Sequence, residues 1–289
     1  MANLKGSTFE KQVENALARL NAKGTKRWGK DSHKTHSNAL ETKRQMYLKD
    51  FAKFTENKGL QGKLNTHFTP QNLQEFLNER LSNLSPKTAL DYSSGFNSML
   101  KGLEQTRVPI SKETYNTLNE YVKDYRNEFN EIKENFETGR AIQDSNSFIN
   151  NLQEVSQSVS IIAELQIKTG LRVSEALEVA KNFNSYYNPT KMGLEGIIGK
   201  GGQEYFVKKI DVDLSYKLQN LTNIPSYSSY YQNLKELGHK PHDLRITYAK
   251  NKYETLKNKG YTHKQSLQKV SKELNHHRES ITLYYLNRA

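Results

Sequence analysis

Four amphipathic segments joined by short loops constrain the first half of this chain more than any other feature. They cover residues 38–59, 69–83, 85–106 and 111–135. Thr69-Pro70 and Ser85-Pro86 each place an N-cap hydroxyl directly before a proline that suits a first helical turn. Gly59 suits a helix C-terminus. Helices with such short connections predict a small helical bundle.

The second half predicts further helices, interrupted by one short region of strand character. Residues 135–147 lack apolar periodicity, and we interpret them as a linker between two domains. The run "EGIIGKGGQEYFVKKIDV", residues 195–212, has two β-prone stretches around a glycine-rich turn and predicts a β-hairpin. We therefore expect a mainly α-helical protein with a small β-hairpin or sheet.

Composition excludes several classes of protein. The chain contains no cysteine, which excludes disulfides, thiol catalysis and thiolate metal sites and suits a reducing cytoplasm. Its mean hydropathy is -0.86, and no apolar run approaches the roughly 18 residues that indicate a membrane span. The N-terminal residues lack the apolar core of a signal peptide. We expect a cytoplasmic protein.

The positive charge is concentrated at the two ends of the chain. The formal net charge is +12. Residues 1–50 hold 11 Lys and Arg against 5 Asp and Glu, and residues 231–289 hold 12 against 5, whereas residues 51–140 hold 12 of each. An excess of this size indicates a polyanionic partner, most simply nucleic acid. A basic tail on an otherwise ordinary protein would produce the same totals.

Two short motifs place basic side chains where they could bind a phosphate. In "HDLR", His242 and Arg245 are three residues apart and would share one face of a helix. In "TGLRVSEAL", Arg172 follows a helix-ending glycine, and Glu175 lies three residues further on, where it can pair with the guanidinium. Taken singly, a surface His–Arg pair and an ordinary helix start would explain them.

Together, these two motifs resemble the paired-arginine signature of the tyrosine recombinases, the phage integrase and Xer family. The family carries a lysine in a hairpin between them, which corresponds to Lys200 in "IIGKGGQEYFV". Its "LGH" corresponds to "LNH", which ends at His276, and its nucleophilic tyrosine nine residues later corresponds to Tyr285. The resemblance covers roughly residues 141–289. It implies these catalytic residues: Arg172, Lys200, His242, Arg245, His276 and Tyr285, with Glu175 supporting Arg172.

The spacing selects one histidine and one tyrosine from two adjacent pairs. Nine residues after His277 stands Leu286, which cannot attack a phosphate, and nine residues before Tyr284 stands Asn275. The family's threonine, three residues before the nucleophile, corresponds to Thr282. One departure is Asn275 in place of the family's glycine. Asparagine tolerates the left-handed conformation best after glycine, so we expect the turn to survive.

The resemblance also implies an organisation and a reaction. It implies a basic N-terminal extension at 1–36 as a candidate accessory DNA contact, a helical core-binding domain at 37–135, a linker at 136–147 and a mixed α+β catalytic domain at 148–289. Tyr285 would attack a DNA phosphodiester to give a 3′-phosphotyrosyl intermediate, without metal or nucleotide cofactor. Both arginines and His276 would bind the phosphate, His242 would be the base, and Lys200 the acid.

The expected partner is double-stranded DNA at a recombination site. The resemblance implies two subunits on each site, a homotetramer in the synapse, a nucleoid-associated cytoplasmic location and no membrane. Two alternatives remain at this stage. One is a DNA-binding protein that keeps the fold without turnover, and the other is a relaxing enzyme similar to the type IB topoisomerases.

Overall fold

The computed structural model of the protein describes residues 4–25, 31–133, 138–200, 202–276 and 278–289. Part of the basic stretch at 23–36, the start of the predicted linker, Gly201 and His277 lie outside these ranges. The chain divides into two compact units, residues 1–135 and 136–289. The described chain is mainly helical with one small antiparallel sheet, which confirms the coarse prediction of fold class.

In the part of the first unit that the structure describes, the chain forms five α-helices and a short 3-10 turn. They are α1 Phe9–Leu20, α2 Asn38–Asn57, the 3-10 turn Leu64–His67, α3 Pro70–Leu81, α4 Pro86–Gln105 and α5 Lys112–Lys133. The side chains of Thr69 and Ser85 cap α3 and α4, with proline at the first helical position of each, as predicted. Gly59 adopts a φ of 66° just after α2, in agreement with its predicted role at a helix end.

The core of the first unit is rich in aromatic rings. Phe51 and Phe96 are fully buried and lie against each other and against Phe76. Helix α1 adds Val13 and Leu20 to the same core. Part of the segment predicted as an N-terminal extension is therefore integral to the packing of this unit.

The described residues of the second unit form nine helices and three short strands. They are α6 Ser145–Val155, α7 Gln157–Thr169, α8 Val173–Lys181, α9 Phe183–Tyr186, β1 Tyr187–Asn188, β2 Gly193–Leu194, β3 Lys208–Lys209, α10 Val212–Gln219, α11 Tyr227–Glu236, α12 Pro241–Asn258, α13 His263–Glu273 and α14 Glu279–Leu286. Helix α6 begins inside the segment predicted as linker. Among the described residues, no helix combines the length and the apolar composition that a membrane span needs.

The three strands form an antiparallel sheet in the order β1-β2-β3. Tyr187 pairs with Leu194, and Gly193 pairs with Lys209. A further bridge between Ile198 and Glu204 continues the β2–β3 pairing towards the glycine-rich turn. The predicted hairpin is thus present, with Lys200 in its turn.

Helix α12 organises the rest of the second unit. Its first half is almost entirely buried, from Pro241 to Ala249. It packs against α7, α13 and α14. This packing brings the start of α12 close to the start of α8, the turn after α13, and α14. These four places carry the predicted site residues other than Lys200.

Candidate active site

Arg172 precedes α8 and is held in place by Glu175 in the first turn of that helix. Gly170 ends α7 with a φ of 70°, and a Cβ at this position would collide with Tyr248 and Leu274. Arg172 is the N-cap of α8, and the Glu175 carboxylate accepts its backbone N–H at 2.7 Å and its Nη1 at 2.9 Å. Among the described residues, no hydrogen bond uses Nε or Nη2 of Arg172.

A tyrosine that the sequence reasoning missed joins the two arginines. The Tyr205 hydroxyl accepts Nη1 of Arg172 at 2.8 Å and Nη1 of Arg245 at 3.3 Å. It donates to Oε2 of Glu175 at 2.9 Å. Burial raises the pKa of Tyr205, although Arg245 opposes this, so the hydroxyl keeps the proton that it donates.

Arg245 lies at the base of the cluster with no exposed surface. Its Nη1 also donates to the carbonyl of Gly170, and its Nη2 donates to the carbonyl of Leu274. The buried Nε has no hydrogen-bond partner in the described parts of the chain. No carboxylate of the described residues forms an ion pair with Arg245, so a buried positive charge remains without a direct counter-ion.

The hydrogen bonds of His276 fix its tautomer. Its Nε2 lies 3.2 Å from Nη2 of Arg245, and a guanidinium can only donate, so Nε2 accepts. The proton is therefore on Nδ1, which lies 2.8 Å from Oγ1 of Thr282 and donates to it. Oγ1 of Thr282 lies 2.6 Å from Oγ of Ser271 and continues the network. The preceding residue, Asn275, has the expected left-handed conformation, with a φ of 55°.

Tyr285 lies between the two histidines of the cluster. Its ring meets those of His242 and His276 edge to face, with centroid separations of 4.9 and 4.8 Å. The side chain is only 6% exposed. Burial lowers the pKa of Arg172, but Tyr205, Glu175 and Tyr285 oppose this effect, and the pKa is raised overall. Tyr284 is 37% exposed and packs on Arg288 instead.

His242 is uncharged at neutral pH. The residue as a whole is exposed, yet partial desolvation of the imidazole and the nearby charges of Arg245 and Arg140 lower its pKa to about 4. A neutral imidazole can accept a proton. The group therefore has the protonation state that a general base requires.

Lys200 stands apart from the other predicted residues. It is exposed in the hairpin turn, and no other described residue forms a hydrogen bond or an ion pair with it. The structure brings five of the six predicted residues together: Arg172, His242, Arg245, His276 and Tyr285.

A basic cavity of about 380 Å³ opens beside the cluster. Arg172, Arg245, His242, Lys240 and Arg140 are among the residues that line it. Arg140 lies in the predicted linker, and sequence reasoning did not single it out because its partner is distant in the chain. Its Nε donates to Asp243 at 2.8 Å. The cavity offers one small anion several cationic neighbours at once.

Comparison of the chain with protein-family models and with curated protein sequences found no match. The geometry of the side chains therefore carries the functional argument.

Proposed function

We propose that this protein is a site-specific DNA recombinase or integrase of the tyrosine type. In this proposal Tyr285 cleaves a DNA strand and rejoins it to another through a 3′-phosphotyrosyl intermediate. The observation that carries the proposal is the position of Tyr285, whose ring contacts the rings of two histidines, His242 and His276. The tyrosine next to it, Tyr284, is 37% exposed and lies under the Arg288 guanidinium.

The arginines support a phosphodiester as the group attacked. Among the described residues, none accepts from Nε or Nη2 of Arg172, and this edge of a guanidinium matches two phosphate oxygens. No carboxylate in the described part of the chain pairs with the buried charge of Arg245, and a phosphate would supply that negative charge. Because Arg245 has no exposed surface and its Nη2 is engaged by Leu274 and His276, its contact with phosphate requires the His276 turn to move.

The reaction can be balanced with the groups near the cavity. The Tyr285 oxygen forms a bond to phosphorus, the bond from phosphorus to the 5′-oxygen breaks, and the charge that develops is stabilised by the arginines. His242 accepts the phenol proton. A bound phosphate would offset the arginine charges that lower the pKa of His242, and so strengthen it as a base when substrate is present. Lys200 would protonate the leaving 5′-oxygen once the hairpin turn approaches the DNA.

The charge distribution supports duplex DNA as the substrate. The chain carries a net charge of +12, with its excess at both ends. Backbone phosphates are the natural partners of such an excess. We propose two subunits on each site and four in the strand-exchange complex, in a nucleoid-associated cytoplasmic setting.

Trapping of the covalent intermediate tests this function. The full chain would be incubated with nicked duplexes that carry a randomised central segment, and protein-linked DNA isolated under denaturing conditions. We expect an adduct with the wild type and with Tyr284→Phe, and none with Tyr285→Phe. The two variants are matched because they make the same change at adjacent positions.

The other outcomes point to other functions. Sequence-specific binding without an adduct from any duplex would favour a DNA-binding protein without turnover. Relaxation of supercoiled plasmid regardless of its sequence would favour the relaxing enzyme.

A further inference from the structure

The hairpin that carries Lys200 touches the turn that carries His276. The side-chain Nδ2 of Asn275 donates to the carbonyl of Gln203 at 3.0 Å. The same carbonyl accepts the backbone N–H of Gly199 at 2.7 Å, which closes the hairpin turn around Lys200. One carbonyl thus holds the hairpin turn together and joins it to Asn275.

Close packing at Gly199 reinforces this contact. A Cβ at Gly199 would lie 2.8 Å from the Tyr205 ring and 3.1 Å from Nδ2 of Asn275. The backbone of the hairpin therefore lies directly against both side chains. Further along the hairpin, Nζ of Lys208 donates to the carbonyl of Glu273, which anchors β3 to the end of α13.

The backbone conformation of Asn275 does not depend on its side chain. Its φ of 55° is left-handed, and glycine would adopt it at least as easily. The asparagine side chain is therefore not needed for the turn. What it adds is the amide that reaches Gln203.

We propose that Asn275 is a positioning residue that latches the Lys200 hairpin to the His276 turn. The same turn also contacts Arg245, through the carbonyl of Leu274. The latch therefore links the position of Lys200 to the phosphate-binding groups. This inference rests on the proposed function, in which Lys200 protonates the leaving oxygen.

The first test measures the latch itself, without DNA. Hydrogen–deuterium exchange of the full chain would be followed in peptides that span residues 195–207. In Asn275→Gly we expect these amides to exchange several-fold faster than in the wild type, with peptides of α12 unchanged. Met192→Gly is the matched control, because Met192 also has a positive φ, of 46°, but lies in the other turn of the sheet. Equal exchange in the wild type and Asn275→Gly overturns the latch.

A second variant approaches the contact from the hairpin side. In Gly199→Ala the added methyl group would collide with the Tyr205 ring and crowd Asn275. We expect the same faster exchange of the hairpin amides while the asparagine is still present. If Asn275→Gly does not fold, this variant decides the question alone, and unchanged exchange overturns the latch.

The second test asks whether the latch serves proton donation. Adduct formation would be measured on a nicked duplex that forms the adduct in the trapping experiment with randomised duplexes. This duplex would carry either oxygen or sulfur as the 5′ leaving atom. A thiolate leaves without a proton because a thiol is far more acidic than an alcohol. With oxygen we expect Asn275→Gly to be about tenfold slower than the wild type, part of the 10²–10⁴-fold that a general acid contributes. With sulfur we expect about the wild-type rate.

The outcomes separate the inference from the function beneath it. Equal slowing with both leaving atoms overturns the role in proton donation, since a merely structural defect would not distinguish them. If the wild type forms no adduct, the proposed function is overturned, and the exchange experiment still decides whether the latch exists.

Discussion

At the scale of single residues, the Tyr205 hydroxyl joins two groups that carry the same charge. The guanidinium groups of Arg172 and Arg245 both donate hydrogen bonds to it, and Glu175 accepts a hydrogen bond from it. Like charges repel strongly in a buried environment. The phenol oxygen and the carboxylate offset this repulsion, but within the described ranges a single carboxylate, that of Glu175, serves two cations. The cluster therefore keeps a net positive charge, which favours an anionic ligand.

Removal of the Tyr205 hydroxyl tests its part in the cluster. In Tyr205→Phe two guanidinium donors and the Glu175 carboxylate lose a buried partner. We expect the free energy of unfolding to fall by about 1–3 kcal/mol. Urea denaturation, with a signal that reports on unfolding of the second unit, measures this change. Tyr216→Phe is the control, because Tyr216 is 68% exposed and should change stability by less than about 0.5 kcal/mol. Equal effects would contradict this role.

At the scale of elements, α13 and β3 are joined by an unusual buried amine. Lys208 is 4% exposed, and its Nζ lies over the rings of Tyr205 and Tyr248, at 5.1 and 5.4 Å from their centroids. Burial lowers the pKa of Lys208 to about 7, although Glu273 opposes this. The strand is thus fixed to the helix by a group that is costly to keep charged.

The stability of a Lys208→Met variant should reveal that burial cost. An unfolded lysine has a pKa of about 10.4, so below pH about 7 the amine is charged in both the folded and the unfolded protein. In that range the folded state bears the full free-energy cost of burying the charge. Above pH about 10.4 it is neutral in both states and the penalty disappears. At pH about 6 we expect Lys208→Met to be about 1–4 kcal/mol more stable than the wild type, with the difference shrinking as the pH rises towards 10.

Urea denaturation at a series of pH values measures this difference. Lys209→Met is the matched control, because Lys209 is the exposed neighbour on the same strand. Its difference from the wild type should stay constant over the same range. A constant difference for Lys208→Met would contradict the argument.

Features that depend on neighbouring residues were predictable from the sequence. The caps at Thr69 and Ser85 and the left-handed Gly170 and Asn275 follow from local backbone preferences. The pairing of Arg172 with Glu175 follows from helical spacing.

Contacts between distant residues were not predictable in the same way. Tyr205 lies 40 residues from Arg245, and Arg140 lies 103 residues from Asp243. Their partners are set by the packing of whole elements, which a single sequence does not reveal. The hairpin around Lys200 was predictable from its glycines, but the place of its turn depends on Asn275, which is 72 residues from Gln203.

At the scale of the whole molecule, both units carry an excess of positive charge. The first unit is built on an aromatic core and holds the N-terminal excess together with most of the charge-balanced stretch 51–140. The second unit holds the basic cavity and the C-terminal excess of positive charge. We therefore expect the DNA affinity of the full chain to depend strongly on salt, because lysine and arginine side chains that contact DNA phosphates release the counter-ions of those phosphates.

A salt titration of DNA binding measures this dependence. Fluorescence anisotropy of a labelled duplex should show about a 10³-fold loss of affinity between 50 and 200 mM salt if about six phosphates are contacted. Lys240→Gln, in the cavity, should reduce the slope by about 1. Lys123→Gln, in the charge-balanced stretch, should leave it unchanged. A flat salt dependence would contradict a phosphate-binding surface.

The tautomer of His276 has a consequence for how a phosphate could be held. Its Nδ1 hydrogen is donated to Thr282, and its Nε2 lone pair faces Arg245. A phosphate oxygen also accepts hydrogen bonds, so the imidazole can hold it only with a hydrogen on Nε2. A hydroxyl both donates and accepts, so Thr282 can turn its own hydrogen towards Nδ1 when the ring changes tautomer. If the scissile phosphate docks there, the hydrogen bonds of the site would reverse direction while its charge stays the same.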